Sequence, residues 1–130
     1  MLSKSKAQTQ KFAIRLAKKL LQVNRSEPSR RATVIALHGD LGAGKTTFVQ
    51  GFMKALGVKH RITSPTFLII RKYQIPKSKL QINSKSSKLK AKSYSDVYHL
   101  DLYRIQKPKE LLGLGFKKIL QDPLAIVLIE

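Results

Sequence analysis

The chain has 130 residues, with 26 Lys and Arg against seven Asp and Glu, a formal charge of +19; that length supports one domain spanning 1–130. With no cysteine, disulfides, thiolate metal sites and a cysteine nucleophile are excluded, so any chemistry must use oxygen, nitrogen or a bound ion. The hydrophobic fraction of 42% is that of a globular domain able to bury a core. No apolar run approaches the roughly 18 residues of a membrane span, and lysines interleave with the first apolar residues where a signal peptide would need a continuous core. A cytoplasmic protein without a membrane partner is expected, and the charge predicts attraction to polyanions such as nucleic acid, nucleotides or acidic protein surfaces.

Between Ala7 and Val23, Phe12, Leu16, Leu20 and Val23 recur at helical spacing with Lys11, Arg15, Lys18 and Lys19 on other faces, which predicts an amphipathic helix. Residues 24–31 contain Ser26, Pro28 and Ser29 and read as a loop. Thr33 to Leu37 is a short, partly β-branched apolar run of the kind that forms a buried strand. A glycine-rich stretch follows, and Phe48, Phe52, Met53 and Leu56 then resume helical spacing up to Gly57. Phe67 to Ile70, continuing to Tyr73, predicts a second strand. Residues 76–95 are rich in Lys and Ser without an acid, and weak alternation at Leu80, Ile82 and Leu89 permits at most an exposed hairpin. Val97 to Tyr103 alternates and predicts a strand paired with the preceding one; Pro108 to Leu120 resembles a helix broken by Gly113 and Gly115; Ala125 to Ile129 is a final buried strand ending on Glu130.

The segment Gly39-Asp40-Leu41-Gly42-Ala43-Gly44-Lys45-Thr46 matches G-x-x-x-x-G-K-[ST] in full, between a predicted strand and a predicted helix. Gly39 and Gly44 permit backbone conformations that turn the N–H groups of Gly42, Ala43, Gly44, Lys45 and Thr46 toward phosphate oxygens. The helix dipole favours the same anion. Lys45 supplies a charge between the β- and γ-phosphates, the Thr46 hydroxyl takes one position on a bridging Mg²⁺, and Thr47 is placed to reach an α-phosphate oxygen. A chance match in a chain of this length has odds of roughly half a percent at ordinary residue frequencies. A nucleotide polyphosphate with Mg²⁺ is the expected ligand.

Mg²⁺ also needs acidic oxygen near the phosphates. Of the seven acids, Glu27 lies in the early loop, Glu110 in an amphipathic segment and Asp122 before Pro123 as a turn or cap residue. Asp40, inside the glycine loop, is as well explained by backbone contacts as by function. Among the other three, Asp101 and Glu130 stand out, both where strands could deliver them to the phosphate end of a parallel sheet. Glu130, after a run of apolar strand residues, fits a Walker B acid.

These blocks together resemble the bacterial TsaE (YjeE) family of small P-loop ATPases, required for threonylcarbamoyladenosine (t6A) modification of tRNA. The glycine loop through Thr47, Ser64-Pro65-Thr66-Phe67 and His99-Leu100-Asp101-Leu102-Tyr103-Arg104 are similar, in order, to its P-loop, its switch segment and its H-x-D-x-Y-R block. The Gly113 to Phe116 stretch and the closing strand also fit. The resemblance implies an α/β fold, a P-loop NTPase three-layer α/β/α sandwich with a mixed, mostly parallel sheet. It implies that Lys45, Thr46 and Thr47 bind ATP phosphates and Mg²⁺, that Asp101 holds the metal's hydration shell, that Glu130 is the Walker B acid, and that Thr66 responds to the γ-phosphate. Thr9 resembles a nucleotide-contacting position. The implied partners are the threonylcarbamoyl transferase and its non-catalytic companion, a complex that ATP hydrolysis resets. Family members continue past the Walker B acid with a Trp and about two more strands, so relative to that pattern the chain reads as truncated at the C-terminus. Residues 76–95 also exceed the turn usual there.

From Leu41 to Ser95 there are twelve Lys or Arg and no acid. A solvated hairpin tip is the simpler explanation, and tRNA contact through Lys77, Lys79, Lys85, Lys88, Lys90 and Lys92 is the sharper one. Tyr73, Tyr94, Tyr98 and Tyr103 sit at strand spacing and read as packing residues more than as base-stacking ones. His99 reads as a structural hydrogen-bonding histidine rather than a general base, and Arg104 is the nearest candidate for an arginine finger. Two alternatives compete with an ATPase: a basic RNA- or partner-binding module with a vestigial nucleotide site, and a small phosphotransferase.

Overall fold

The computed structural model describes residues 4–22, 30–40, 43–59, 70–76, 94–102 and 105–130. The described residues contain four helices, α1 (Lys6–Gln22), α2 (Lys45–Ala55), α3 (Pro108–Gly113) and α4 (Phe116–Leu120), and four strands, β1 (Thr33–Ala36), β2 (Ile70–Gln74), β3 (Asp96–Leu100) and β4 (Ala125–Ile129), in the chain order α1-β1-α2-β2-β3-α3-α4-β4. The strands form one sheet in the order β1-β4-β3-β2. β4 is parallel to both β1 and β3, and β2 runs antiparallel to β3, giving the mixed, mostly parallel α/β sheet expected.

Sequence explains which strand is central. Ala125 to Leu128 are buried on both sides of the sheet, and an uninterrupted apolar run is what a parallel strand covered on both faces requires. β1 and β2, at the two edges of the described sheet, have mixed exposure, and Val34 is 45% exposed. On one face, Tyr73, Val97, Ile126 and Leu128 pack with Ala13 and Ala17 of α1 and Phe48, Val49, Phe52 and Met53 of α2 to form the core. Val127 and Leu100 are buried on the other face, and α4 joins the base of β1 through the Ala32 N–H, which donates to the Leu120 carbonyl at 2.9 Å.

The apolar stripe of α1 places its small residues where α2 crosses. A Cβ added at Gly51 would sit 3.3 Å from both Cα and the carbonyl oxygen of Gln10, so this glycine allows the two backbones to approach. Phe12 and Phe48 close the same contact, with ring centroids 6.1 Å apart.

β3 is shorter than the alternation over Val97 to Tyr103 predicts. It ends at Leu100: the Leu102 N–H still follows the parallel ladder, donating to the Glu130 carbonyl at 3.1 Å, and the Ile105 N–H then bonds to the Leu102 carbonyl at 3.0 Å in a turn. The helical segment after Pro108 breaks at Leu114 and Gly115, as the glycines predict. Asp122 Oδ1 accepts from the Leu124 N–H at 2.9 Å, the turn role expected for it. The start of the second predicted strand at Phe67 and nearly all of the Lys/Ser-rich segment lie outside the described residues. Gly51→Leu is expected to destabilise the fold by about 1–3 kcal/mol through overpacking, measured as a lower urea midpoint with an unchanged m-value.

Candidate functional site: a phosphate-loop pocket at the carboxyl ends of β1, β3 and β4

Because β1, β4 and β3 run in parallel, their carboxyl ends emerge together, and ligands of open α/β sheets bind there. β1 leads into the glycine loop, β3 into Asp101 and β4 into Glu130. Two backbone bonds tie these ends: Leu37 N–H donates to the Ile129 carbonyl at 2.7 Å, and Glu130 N–H donates to the Leu100 carbonyl at 2.8 Å.

Gly44, with φ 93°, is the N-cap of α2 in the left-handed conformation, which only glycine adopts readily, and no side chain caps the helix. The first α-helical bond of this segment runs from the Phe48 N–H to the Gly44 carbonyl at 3.0 Å. The preceding amides of Lys45, Thr46 and Thr47 are therefore the helix's orphan donors, available to an anion and reinforced by the dipole. The Lys45 ammonium folds back over the loop and donates to the Gly39 carbonyl at 2.7 Å. Ala43 is exposed, and its N–H donates to the Asp40 carbonyl at 3.0 Å, so Asp40 contributes its backbone to the loop's curve. Thr9 of α1 lies alongside: its Oγ1 would be 3.8 Å from a Cβ placed on Gly44, and it donates to the Ser5 carbonyl at 3.2 Å.

The Glu130 carboxylate connects this loop to the sheet. Its Oε1 accepts from the Thr46 hydroxyl at 3.3 Å, and its Oε2 lies 2.7 Å from Nε2 of His99, which is fully buried. A carboxylate only accepts, so this contact assigns a proton to Nε2; Nδ1 has no hydrogen-bond partner among the described residues. The His99 hydrogen bond is the main force holding the Glu130 carboxyl below the ordinary carboxylate range, opposed by desolvation and aided by Thr46 and the Lys45 charge. His99 is thus the hydrogen-bonding residue expected, and its partner is a predicted site residue 31 positions away. That pairing had no sequence signal, because it depends on His99 lying opposite Leu128 in the β3–β4 register.

Gly44, Lys45, Thr46, Thr47, Thr9 and Glu130 accordingly gather at one end of the sheet, and half-buried Asp101 follows β3 at the same end. Gly42, Thr66 and Arg104 lie outside the described residues. No group of three or more His, Asp or Glu able to hold a metal occurs among the described residues. The donors present, one hydroxyl and two carboxylates, suit Mg²⁺, which keeps several waters and takes its other oxygens from substrate phosphates. No helix among the described residues is long and apolar enough to cross a membrane.

A family model described as threonylcarbamoyl adenosine biosynthesis protein TsaE matches residues 3–130. The chain belongs to the TsaE family. Curated relatives named tRNA threonylcarbamoyladenosine biosynthesis protein TsaE include that of Haemophilus influenzae, 31% identical over 80% of this chain and 55% of the relative. The Rickettsia prowazekii relative is 33% identical over 95% of this chain and 68% of its own length. The Bacillus subtilis relative is 40% identical over 62% of this chain and 40% of its own length. The chain thus spans about half the length of several curated relatives it matches. Among solved structures, Bacillus subtilis YdiB aligns with a TM-score of 0.53 and 25% identity over 98% of this chain and 60% of that one.

His99→Leu is expected to lower stability by about 1–3 kcal/mol by leaving the Glu130 carboxylate without its main donor, and His99→Gln to recover part of that loss. The lowered Glu130 pKa makes the ionised carboxylate stabilising. Its contribution is complete above the ordinary glutamate value of about 4.3 and is lost as pH falls through the lower folded-state value. The gap in urea midpoint between the parent and Glu130→Gln should therefore be constant from pH 7 to about 5 and close below about 4.

Proposed function

We propose that the chain binds Mg-ATP at the Gly39–Thr47 loop and hydrolyses it, as the ATPase component of the t6A modification machinery. The reading is carried by the junction of Thr46 with Glu130 at 3.3 Å beside an uncapped helix N-terminus. A metal-binding hydroxyl, a strand-end carboxylate and orphan amide donors meet there, the combination that phosphoryl transfer uses. Family membership supports the process, since the family is described by threonylcarbamoyl adenosine biosynthesis.

In this reading the amides of Gly44 to Thr47 and the Lys45 ammonium hold the β- and γ-phosphates, exchanging the Lys45 bond to Gly39 for bonds to phosphate oxygens. Thr46, Asp101 and Glu130 would hold Mg²⁺ and its water shell, and the ion would supply neutralisation of the phosphate charge. Lys45 and the loop amides stabilise the charge that develops on the transferred phosphoryl oxygens. Glu130 or Thr66 orients the attacking water, and His99 keeps the Glu130 carboxylate ionised and fixed in direction. Thr9 contacts the nucleotide from α1. Partner proteins, the threonylcarbamoyl transferase and its companion, complete the site and accelerate turnover, and hydrolysis resets their complex for the next tRNA in the cytoplasm.

The test is phosphate release from Mg-ATP with and without the transferase pair. Slow release alone and faster release with the pair is expected. Lys45→Ala and Thr46→Val should each lower the stimulated rate by about 10²-fold or more, the scale of losing a transition-state electrostatic contact. Transfer of labelled γ-phosphate to an acceptor other than water would favour a phosphotransferase, and partner binding indifferent to nucleotide and to Lys45→Ala would favour a vestigial site.

A further inference from the structure

α1 presents a surface that neither the core nor the phosphate loop uses. Gln8, Lys11, Arg15, Lys18, Lys19 and Gln22 are all exposed, and at 3.6 residues per turn they fall within an arc of about 100° that runs about 21 Å along the helix. The opposite side is anchored, since Ala13 and Ala17 are fully buried. Residues 4–22 hold six Lys or Arg and no acid. The ion pairs among the described residues, Lys72 with Asp96 and His99 with Glu130, do not involve this helix.

The charge works against the helix that carries it. Lys11 with Arg15, Arg15 with Lys18 and Arg15 with Lys19 are like-charge neighbours at i,i+4 or i,i+3, each costing about 0.2–0.5 kcal/mol. The first turn has no acid to meet the helix dipole. Folding therefore gains nothing from this arc, and a solubilising surface would be served as well by mixed signs.

We infer that the outer face of α1 docks on the phosphodiester backbone of an RNA double helix. The arc carries only guanidinium, ammonium and amide groups. A protein partner would need a cluster of apolar or aromatic anchors, and the arc borders only one, Phe12, 39% exposed and in ring contact with Phe48. Phosphate contacts need only charge and hydrogen bonding. The choice of RNA over DNA rests on the proposed place in tRNA modification; the backbone contact itself does not.

The experiment compares the full chain with two triple variants of equal charge change: Lys11→Gln with Arg15→Gln and Lys18→Gln on α1, and Lys109→Gln with Lys117→Gln and Lys118→Gln on α3 and α4. Affinity for a labelled RNA hairpin is measured against salt concentration. The α1 triple should lose about two to three units of the log–log salt slope, and the control triple less than one. Equal losses in the two triples, or an unchanged slope in the α1 triple, would overturn the inference. A DNA duplex of the same sequence bound as tightly would overturn the choice of RNA, and polyglutamate competing as well as RNA would overturn the nucleic-acid assignment. The α1 triple should retain the parent's Mg-ATP affinity. A parent that binds RNA with the expected slopes but no Mg-ATP would defeat the proposed function and leave this inference standing.

Discussion

The position of β4 between two parallel neighbours is the constraint from which the rest of the molecule follows. A strand of five apolar residues cannot lie at a wet edge, so it occupies the middle of the described sheet and is covered on both faces. Parallel pairing on both sides then fixes a common direction for β1, β4 and β3. A glycine loop and two acids, separated by up to 90 residues of chain, consequently emerge at one end without any of them having to specify the others.

Electrostatics at that end run opposite to the chain as a whole. In a protein of charge +19, the end of the sheet beside the glycine loop is where an acid is buried and retained: Glu130 has a side chain only 8% exposed and is held by a fully buried histidine. Placing a carboxylate beside a lysine and an anion-binding helix end is unfavourable for free phosphate and favourable for a phosphate that arrives with a divalent cation.

Much of this was legible in the sequence, for identifiable reasons. The loop could be read because backbone geometry dictates residue type position by position, as at Gly44. β4 was bounded correctly at Ala125 and Ile129 because full burial removes the ambiguity of alternation. The end of β3 was not legible, since Leu102 is as apolar as a strand residue, its N–H still follows the ladder to the Glu130 carbonyl, and only the turn bond from the Ile105 N–H to the Leu102 carbonyl marks the departure. Nor was the His99–Glu130 contact, which requires knowing that β3 and β4 are neighbours and in which register. The close crossing of α1 and α2 at Gly51 was likewise hidden, because a helical glycine reads only as a weakness until its opposing backbone is known.

The exposed side of β1 has a colloidal consequence. Among the described strands it pairs with β4 alone, its sequence Thr-Val-Ile-Ala carries no charge, and Val34 faces outward, so it lacks the charged gatekeepers that usually keep open strands apart. Mutual repulsion between highly cationic molecules performs that duty instead, over a range set by the ionic atmosphere: about 30 Å at 0.01 M salt but only about 8 Å at 0.15 M. Added electrolyte therefore shortens the reach of that repulsion to less than the length of one helix such as α1, and leaves the described edge of β1 guarded by charge only at close approach.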